Sequence, residues 1–109
     1  MGEILPIKPE TVPSLIEQVA SIIEFLNVRT RKKFPSRNPR GSPTSNAEII
    51  MHRLKEGYTV QDCKPVIASK CREWLHDEKM SKFLTPETLF RRSNFERYLG
   101  EIGGTDEMS

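Results

Sequence analysis

Most of the residues and patterns that carry chemistry are scarce in this sequence. It has two cysteines and two histidines, with no Cys-x-x-Cys and no His-x-x-x-His spacing, which argues against a closed zinc site. Cys63 and Cys71 would lie more than a turn apart on one helix, too far for a disulfide, and read as reduced, partly buried thiols. No apolar run approaches the roughly 20 residues that span a bilayer, and the N-terminus lacks the charged head and apolar stretch of a signal peptide. The expectation is a soluble, cytoplasmic protein with no membrane contact. An excess of one charge is missing too, since 17 Lys and Arg against 15 Asp and Glu leave a net charge of +2, too little for a protein that is basic throughout. There is no internal repeat, and no stretch alternates with period two over a useful length. Phe83-Leu84 and Tyr58-Thr59-Val60 are the only fragments that could pair as strands, and both are too short to count on.

What is present is helical. At 109 residues, 36% apolar and 29% charged, the chain fits one small domain. A domain of this size buries about 60 to 70% of its unfolded surface, so each large core residue matters. From Pro13 to Asn27, Leu15, Ile16, Val19, Ile22, Ile23 and Leu26 recur at helical spacing with Glu17, Gln18 and Glu24 opposite. Ser45 with Glu48 forms a capping-box pattern that opens a second helix, with Ile49, Ile50 and Leu54 facing inward until Gly57 ends it. Thr59 with Asp62 repeats the pattern, and Val60, Cys63, Val66, Ile67, Cys71, Trp74 and Leu75 follow on one face, with a bend expected near Pro65 and an end by His76. Asp77 to Leu84 reads as a connector with one helical turn at Glu78 to Lys82. Thr85-Pro86-Glu87 is a helix start with proline at the first helical position, and Ser93 with Glu96 is a further cap pattern. They predict two short helices, Pro86 to Arg91 and Asn94 to Glu101. The fold class is therefore all-α, a small single-domain bundle of four to five short helices. Residues 13–101 form the domain, 28–44 is a basic loop within it, and 1–12 and the acidic 102–109 are flexible.

Candidate sites come from charge and aromatic bulk. Six basic residues, Arg29, Arg31, Lys32, Lys33, Arg37 and Arg40, fall together without an acid among them, mixed with Pro35, Asn38, Pro39 and Gly41. Proline and glycine at this density predict an exposed, semi-extended loop, and Lys and Arg there would meet nucleic-acid phosphate. The bland alternative is a solvated loop. Trp74, Phe83, Phe90, Phe95 and Tyr98 could stack on bases, but Trp74 shares the apolar stripe of its helix and reads as core, while for Phe83 and Tyr98 the two readings stand closer together. Glu73, Asp77 and Glu78 read as a solvated helix end balanced by Lys79 and Lys82, not as a Mg²⁺ site. Neither Cys63 nor Cys71 has a partner that would activate its thiol, and no residue set amounts to an active site, so no enzyme and no cofactor is expected.

Several ordered blocks carry a resemblance. They are Ile22-Ile23-Glu24-Phe25-Leu26-Asn27, Arg53-Leu54-Lys55-Glu56-Gly57-Tyr58-Thr59, Glu73-Trp74, Lys79-Met80-Ser81-Lys82, Thr85-Pro86-Glu87-Thr88-Leu89-Phe90 and Phe95-Glu96-Arg97-Tyr98-Leu99. From about Val19 to Leu99 the chain resembles the conserved C-terminal domain of phage and prophage replication-initiation proteins of the replisome-organizer type. The resemblance implies a helical domain that normally follows a DNA-binding winged helix, in a protein acting at a phage origin and recruiting a helicase or helicase loader. This sequence departs from the pattern in carrying no winged-helix portion and in having Pro65 inside a helix. No catalytic residue comes with the family. The expected function is a non-enzymatic adaptor of phage DNA replication that binds replication partners such as a helicase or its loader, with single-stranded or duplex DNA as a further ligand of the basic loop. Lys79, Lys82, Phe83, Arg91 and Arg92 would border the partner surface. The rival is a small phage protein that binds and inhibits a host replication or defence component.

Overall fold

The first helix begins where Ser14 can cap it. The Ser14 hydroxyl accepts from the Glu17 amide at 3.3 Å while the Glu17 carboxylate accepts from the Ser14 amide at 3.1 Å, a complete capping box. A computed structural model describes residues 14–108, with side chains described as far as Ile102. The expected flexible segment 1–12 lies outside the described residues. The helices are α1 (Leu15–Thr30), α2 (Ser45–Lys55), α3 (Val60–Trp74), α4 (Pro86–Phe90) and α5 (Arg92–Met108), with a 3₁₀ turn at Ser81–Phe83. Among the described residues there is no strand, only one isolated antiparallel bridge between Arg37 and Pro43. The all-α class holds.

Several boundaries differ from those the sequence predicts. Helix α1 runs three residues past Asn27 to Thr30, so Arg29 lies on the helix and not in the loop 28–44. Arg31 ends it in the left-handed region at φ 61°, its amide donating to the Asn27 carbonyl at 2.7 Å. Thr44, not Ser45, caps α2, because the Thr44 hydroxyl accepts from the Ala47 amide at 3.2 Å. Gly57 follows α2 at φ 110°, a left-handed position that favours glycine. The Thr59–Asp62 box opens α3 as expected, and α3 continues through Pro65 to Trp74. Pro65 is exposed, so water can satisfy the carbonyl one turn back that has lost its amide partner. Thr85 caps α4 with Pro86 at its start. The Ser93 box does not form, since α5 starts at Arg92 and the Glu96 carboxylate accepts from Arg92 instead. The same helix continues past Glu101 to Met108. Ile102 packs against the core and extends the Phe95, Tyr98 and Leu99 stripe by another turn.

Burial follows the apolar stripes. Val19, Ile22, Ile23 and Leu26 of α1 meet Ala47, Ile50 and Leu54 of α2 and Cys63, Val66, Ile67 and Cys71 of α3, with Leu84, Leu89, Phe90, Phe95 and Tyr98 completing one cluster. Helix α1 packs on α2 and α3, α4 on α2, and α5 on α3 and α4. The aromatic C-terminal third thus docks mainly on α2 and α3. Phe90 and Phe95 stack with centroids 5.3 Å apart, and Tyr58 meets Phe95 edge-on at 5.0 Å. Trp74 is half-buried and packs against the core from its margin, edge-on to Tyr98 at 6.1 Å.

Two cations enter this core with partners. Arg53 is 7% exposed; it donates to the Phe90 carbonyl at 3.2 Å and to Glu56 at 3.0 Å, so it caps the end of α4 from α2. Lys70 is 5% exposed and lies between Glu73 at 3.1 Å and Glu101 at 3.3 Å, with the Tyr98 ring centroid 4.4 Å from its ammonium. It joins α3 to α5.

Candidate functional site

The exposed loop predicted for the basic segment is an arm held in shape by hydrogen bonds along its length. Asn27, near the end of α1, grips its base: the side-chain amide donates to the Phe34 carbonyl at 3.1 Å and its oxygen accepts from the Phe34 amide at 2.9 Å. Further out, the Thr44 amide donates to the Ser36 carbonyl at 3.1 Å, and the Thr44 hydroxyl donates to the Pro35 carbonyl at 2.7 Å. Asn38 organises the tip. Its side-chain oxygen accepts from the amides of Arg40 at 2.9 Å and Ser42 at 3.0 Å, and its carbonyl accepts from Gly41, which stands at φ 88°. Proline at 35, 39 and 43 limits what the chain can do between these bonds.

The six predicted phosphate ligands divide into three groups. Arg37 and Arg40 are exposed at the tip, with Arg37 braced on the Gly41 carbonyl at 3.0 Å. Arg31 and Lys33 are exposed at the base, and neither has a carboxylate partner among the described residues. Arg29 and Lys32 are placed otherwise. The Arg29 guanidinium lies over the Phe25 ring at 4.1 Å on α1. The Lys32 ammonium turns inward to the carbonyls of Ser81 at 3.4 Å and Leu84 at 3.5 Å. It ties the base of the arm to the 77–84 connector, and its burial and these bonds take it out of the set free to meet phosphate. Lys32 was indistinguishable from its neighbours in sequence because its partners lie about fifty positions away.

The predicted partner residues are all exposed but unequally available. Phe83 is 41% exposed with Lys82 over its ring at 5.4 Å, so it belongs to the surface while Tyr98 belongs to the core. Lys79 is exposed beside the turn that Asp77 stabilises by accepting from the Lys79 and Met80 amides. Arg91 is paired with Glu87 at 3.2 Å, and Arg92 with Glu96 at 3.4 Å and Glu56 at 3.8 Å. Their charge is largely balanced locally, unlike that of the arm.

Sequence reasoning missed Asn27, Asn38 and Thr44, which order the arm, and Lys64 and Arg72, which join Arg29 on the α1–α3 flank. Asparagine beside proline and glycine was the available signal for Asn38. For Lys64 and Arg72 there was none, because a lone cation on a helix says nothing of what faces it.

The thiols are core groups. Burial, helped by the Asp62 carboxylate, pushes the Cys63 thiol up to about 12. Burial also raises Cys71, with Arg29 and Lys32 pulling the other way. Among the described residues, no three of His, Cys, Asp and Glu come together as a metal-binding group, and no helix is long and apolar enough to cross a membrane.

Comparison with known proteins gives one match. A family model described as a conserved phage C-terminus fits residues 22–100. No curated protein and no solved structure matches the chain.

Proposed function

The chain belongs to the conserved phage C-terminus family, and from that premise we propose that it is a non-enzymatic adaptor module of phage DNA replication, holding a replication partner such as a helicase or helicase loader and contacting DNA through its basic arm. The replication role is supported by the resemblance of its ordered blocks to replisome-organizer proteins. DNA contact is supported by one observation above the rest: Arg31, Lys33, Arg37 and Arg40 stand exposed on an arm that Asn27, Asn38 and Thr44 hold in shape, with no described carboxylate to neutralise them. A preordered cationic arm gives up little conformational freedom when it meets phosphate. Its contacts go to the backbone of the nucleic acid, so binding is strongly salt-dependent and weakly sequence-dependent. The Lys79, Lys82 and Phe83 connector borders the partner surface, and Lys32 couples it to the arm.

The test is a titration of labelled single-stranded and duplex DNA at several salt concentrations. Wild type is compared with a variant carrying alanine at Arg31, Lys33, Arg37 and Arg40. Binding that weakens with salt is expected, with the slope on duplex reduced by roughly 0.9 for each phosphate contact removed. Identical binding by the two proteins would overturn the assignment of the arm. Absence of DNA binding, with a host replication or defence protein captured instead, would favour the inhibitor reading.

A further inference from the structure

Between α1 and α3 run two adjoining grooves that share Arg29. One, of about 380 Å³, is lined by Ser21, Glu24, Phe25, Val28, Arg29 and Lys64. The other, of about 450 Å³, continues past Arg29 along Ala68, Cys71, Arg72, Leu75 and His76. Lys64, Ala68, Cys71 and Leu75 recur at four- and three-residue intervals, so they lie along one face of α3 and its end. At 1.5 Å per residue that face is roughly 16 Å long, the length of three helical turns.

The floor is apolar and the rim is cationic. Phe25 and Leu75 are partly buried against the core, and Val28 is 66% exposed, the most exposed large apolar side chain described. Arg29 and Lys64 both stand over the Phe25 ring, at 4.1 Å and 5.5 Å, and Arg72 is exposed further along. Among the described residues, Glu24 is the only acid on either lining. None of the three cations has an ion-pair partner among the described residues.

The geometry points to this groove as the docking site for an acidic amphipathic helix of a partner protein, apolar side chains on the floor over Val28, Phe25 and Leu75, carboxylates toward Lys64, Arg29 and Arg72. Charge complementarity selects that occupant. An uncharged apolar segment would leave three cations desolvated without partners, and such groups weaken a complex. A nucleic-acid strand fits less well. Two cations already stand over the Phe25 ring on which a base would stack, and phosphate gains nothing from the exposed Val28. Helix-in-groove recognition with apolar anchors three and four residues apart uses both the floor and the rim. This inference deepens the adaptor reading by naming the chemistry of a partner; it does not depend on DNA contact by the arm.

The probe is a fluorescent helical peptide of about four turns, with leucine at three- and four-residue intervals, glutamate beside the leucines and alanine elsewhere. Its controls are an isomer of identical composition with the leucines spread around the helix, and an oligothymidylate of about twenty nucleotides. With the full chain, the amphipathic peptide is expected to bind at least about ten-fold more tightly than its isomer. Arg72→Glu and Lys64→Glu, both at sites reached by solvent, should each weaken it by about ten-fold or more with the circular dichroism spectrum unchanged. Alanine at Arg37 and Arg40 should leave peptide binding as it was. Equal affinity for the two peptides, indifference to Arg72→Glu, displacement by the oligothymidylate, or burial of the groove in a dimer by sedimentation would each overturn the inference. DNA binding through the arm without peptide binding would overturn this inference alone; peptide binding without DNA binding would overturn the arm alone.

Discussion

Phe90 and Trp74 illustrate how little a residue type says about its own weight in the fold. Phe90 is fully buried, stacks on Phe95, and lends its carbonyl to the buried Arg53 guanidinium. Trp74 is larger and unique in the chain, yet it is only partly buried at the end of α3, packed against the margin of the core with a Tyr98 edge contact and the Lys70 ammonium 5.2 Å from its ring. Phe90→Ala should therefore cost about 3 to 5 kcal/mol, enough to unfold much of so small a domain. Trp74→Ala should cost about 1 to 2 kcal/mol and leave it folded. Urea unfolding followed by circular dichroism measures both. A larger loss for Trp74→Ala than for Phe90→Ala would mean that the margin of α3, not the α4–α5 seam, carries the core.

At the scale of the element, helix starts are decided by which hydroxyl is positioned to accept an amide. Thr44 and Ser45 are adjacent and chemically alike, and the sequence favoured Ser45 because Glu48 lies three residues on. In the fold Thr44 holds the extended backbone of a cap, at ψ 170°, and its hydroxyl bonds both ways, to the Ala47 amide and the Pro35 carbonyl. The arm therefore chooses the cap. Thr44→Ala is expected to cost about 1 kcal/mol or somewhat more, since it frees α2 and the arm together, whereas Ser45→Ala should stay within about 0.5 kcal/mol of wild type. Denaturation midpoints of the two variants check this, and equal losses would contradict it. The same reasoning accounts for the Ser93 pattern that does not cap: α5 has already begun at Arg92, with the Phe95 amide donating to the Arg91 carbonyl at 2.8 Å.

For the whole molecule, long-range polar ties fix how the helices are set. Lys70 joins α3 to α5 through Glu101, as Arg53 joins α2 to α4 and Lys32 joins the arm to the connector. Burial by itself lowers the Lys70 pKa, but its bonds to Glu73 and Glu101 outweigh that, and the group is raised above its ordinary value of 10.5. The folded chain thus holds this proton more tightly than the unfolded chain. The resulting stability is complete below pH 10.5 and is lost as pH rises through the folded value. Lys70→Met should be less stable than wild type at neutral pH by on the order of 1 kcal/mol, a modest figure because both carboxylates are half-exposed. That gap should narrow above pH 10.5. Urea midpoints across the alkaline range test it, and the comparison cancels the effect of the Cys63 thiol, which both proteins share. A gap independent of pH would show that Lys70 acts through its aliphatic stem alone.

The sequence by itself determined that this is a helical phage C-terminal domain, where most helices begin, and which apolar stripes are buried. Those properties rest on contacts within a turn or two: Ser14 with Glu17, Thr59 with Asp62, Thr85 ahead of Pro86, and apolar residues at helical intervals. Only the tertiary structure decided that the aromatic third docks on α2 and α3, that Lys32 leaves the basic set for the carbonyls of Ser81 and Leu84, that Asn27 and Asn38 turn a proline-rich loop into an ordered arm, and that Arg29, Lys64 and Arg72 line one groove. The physical reason is range. Capping and periodicity are written in neighbouring residues, whereas the partner of a buried ammonium or the floor of a groove depends on how helices distant in sequence are brought to lie side by side.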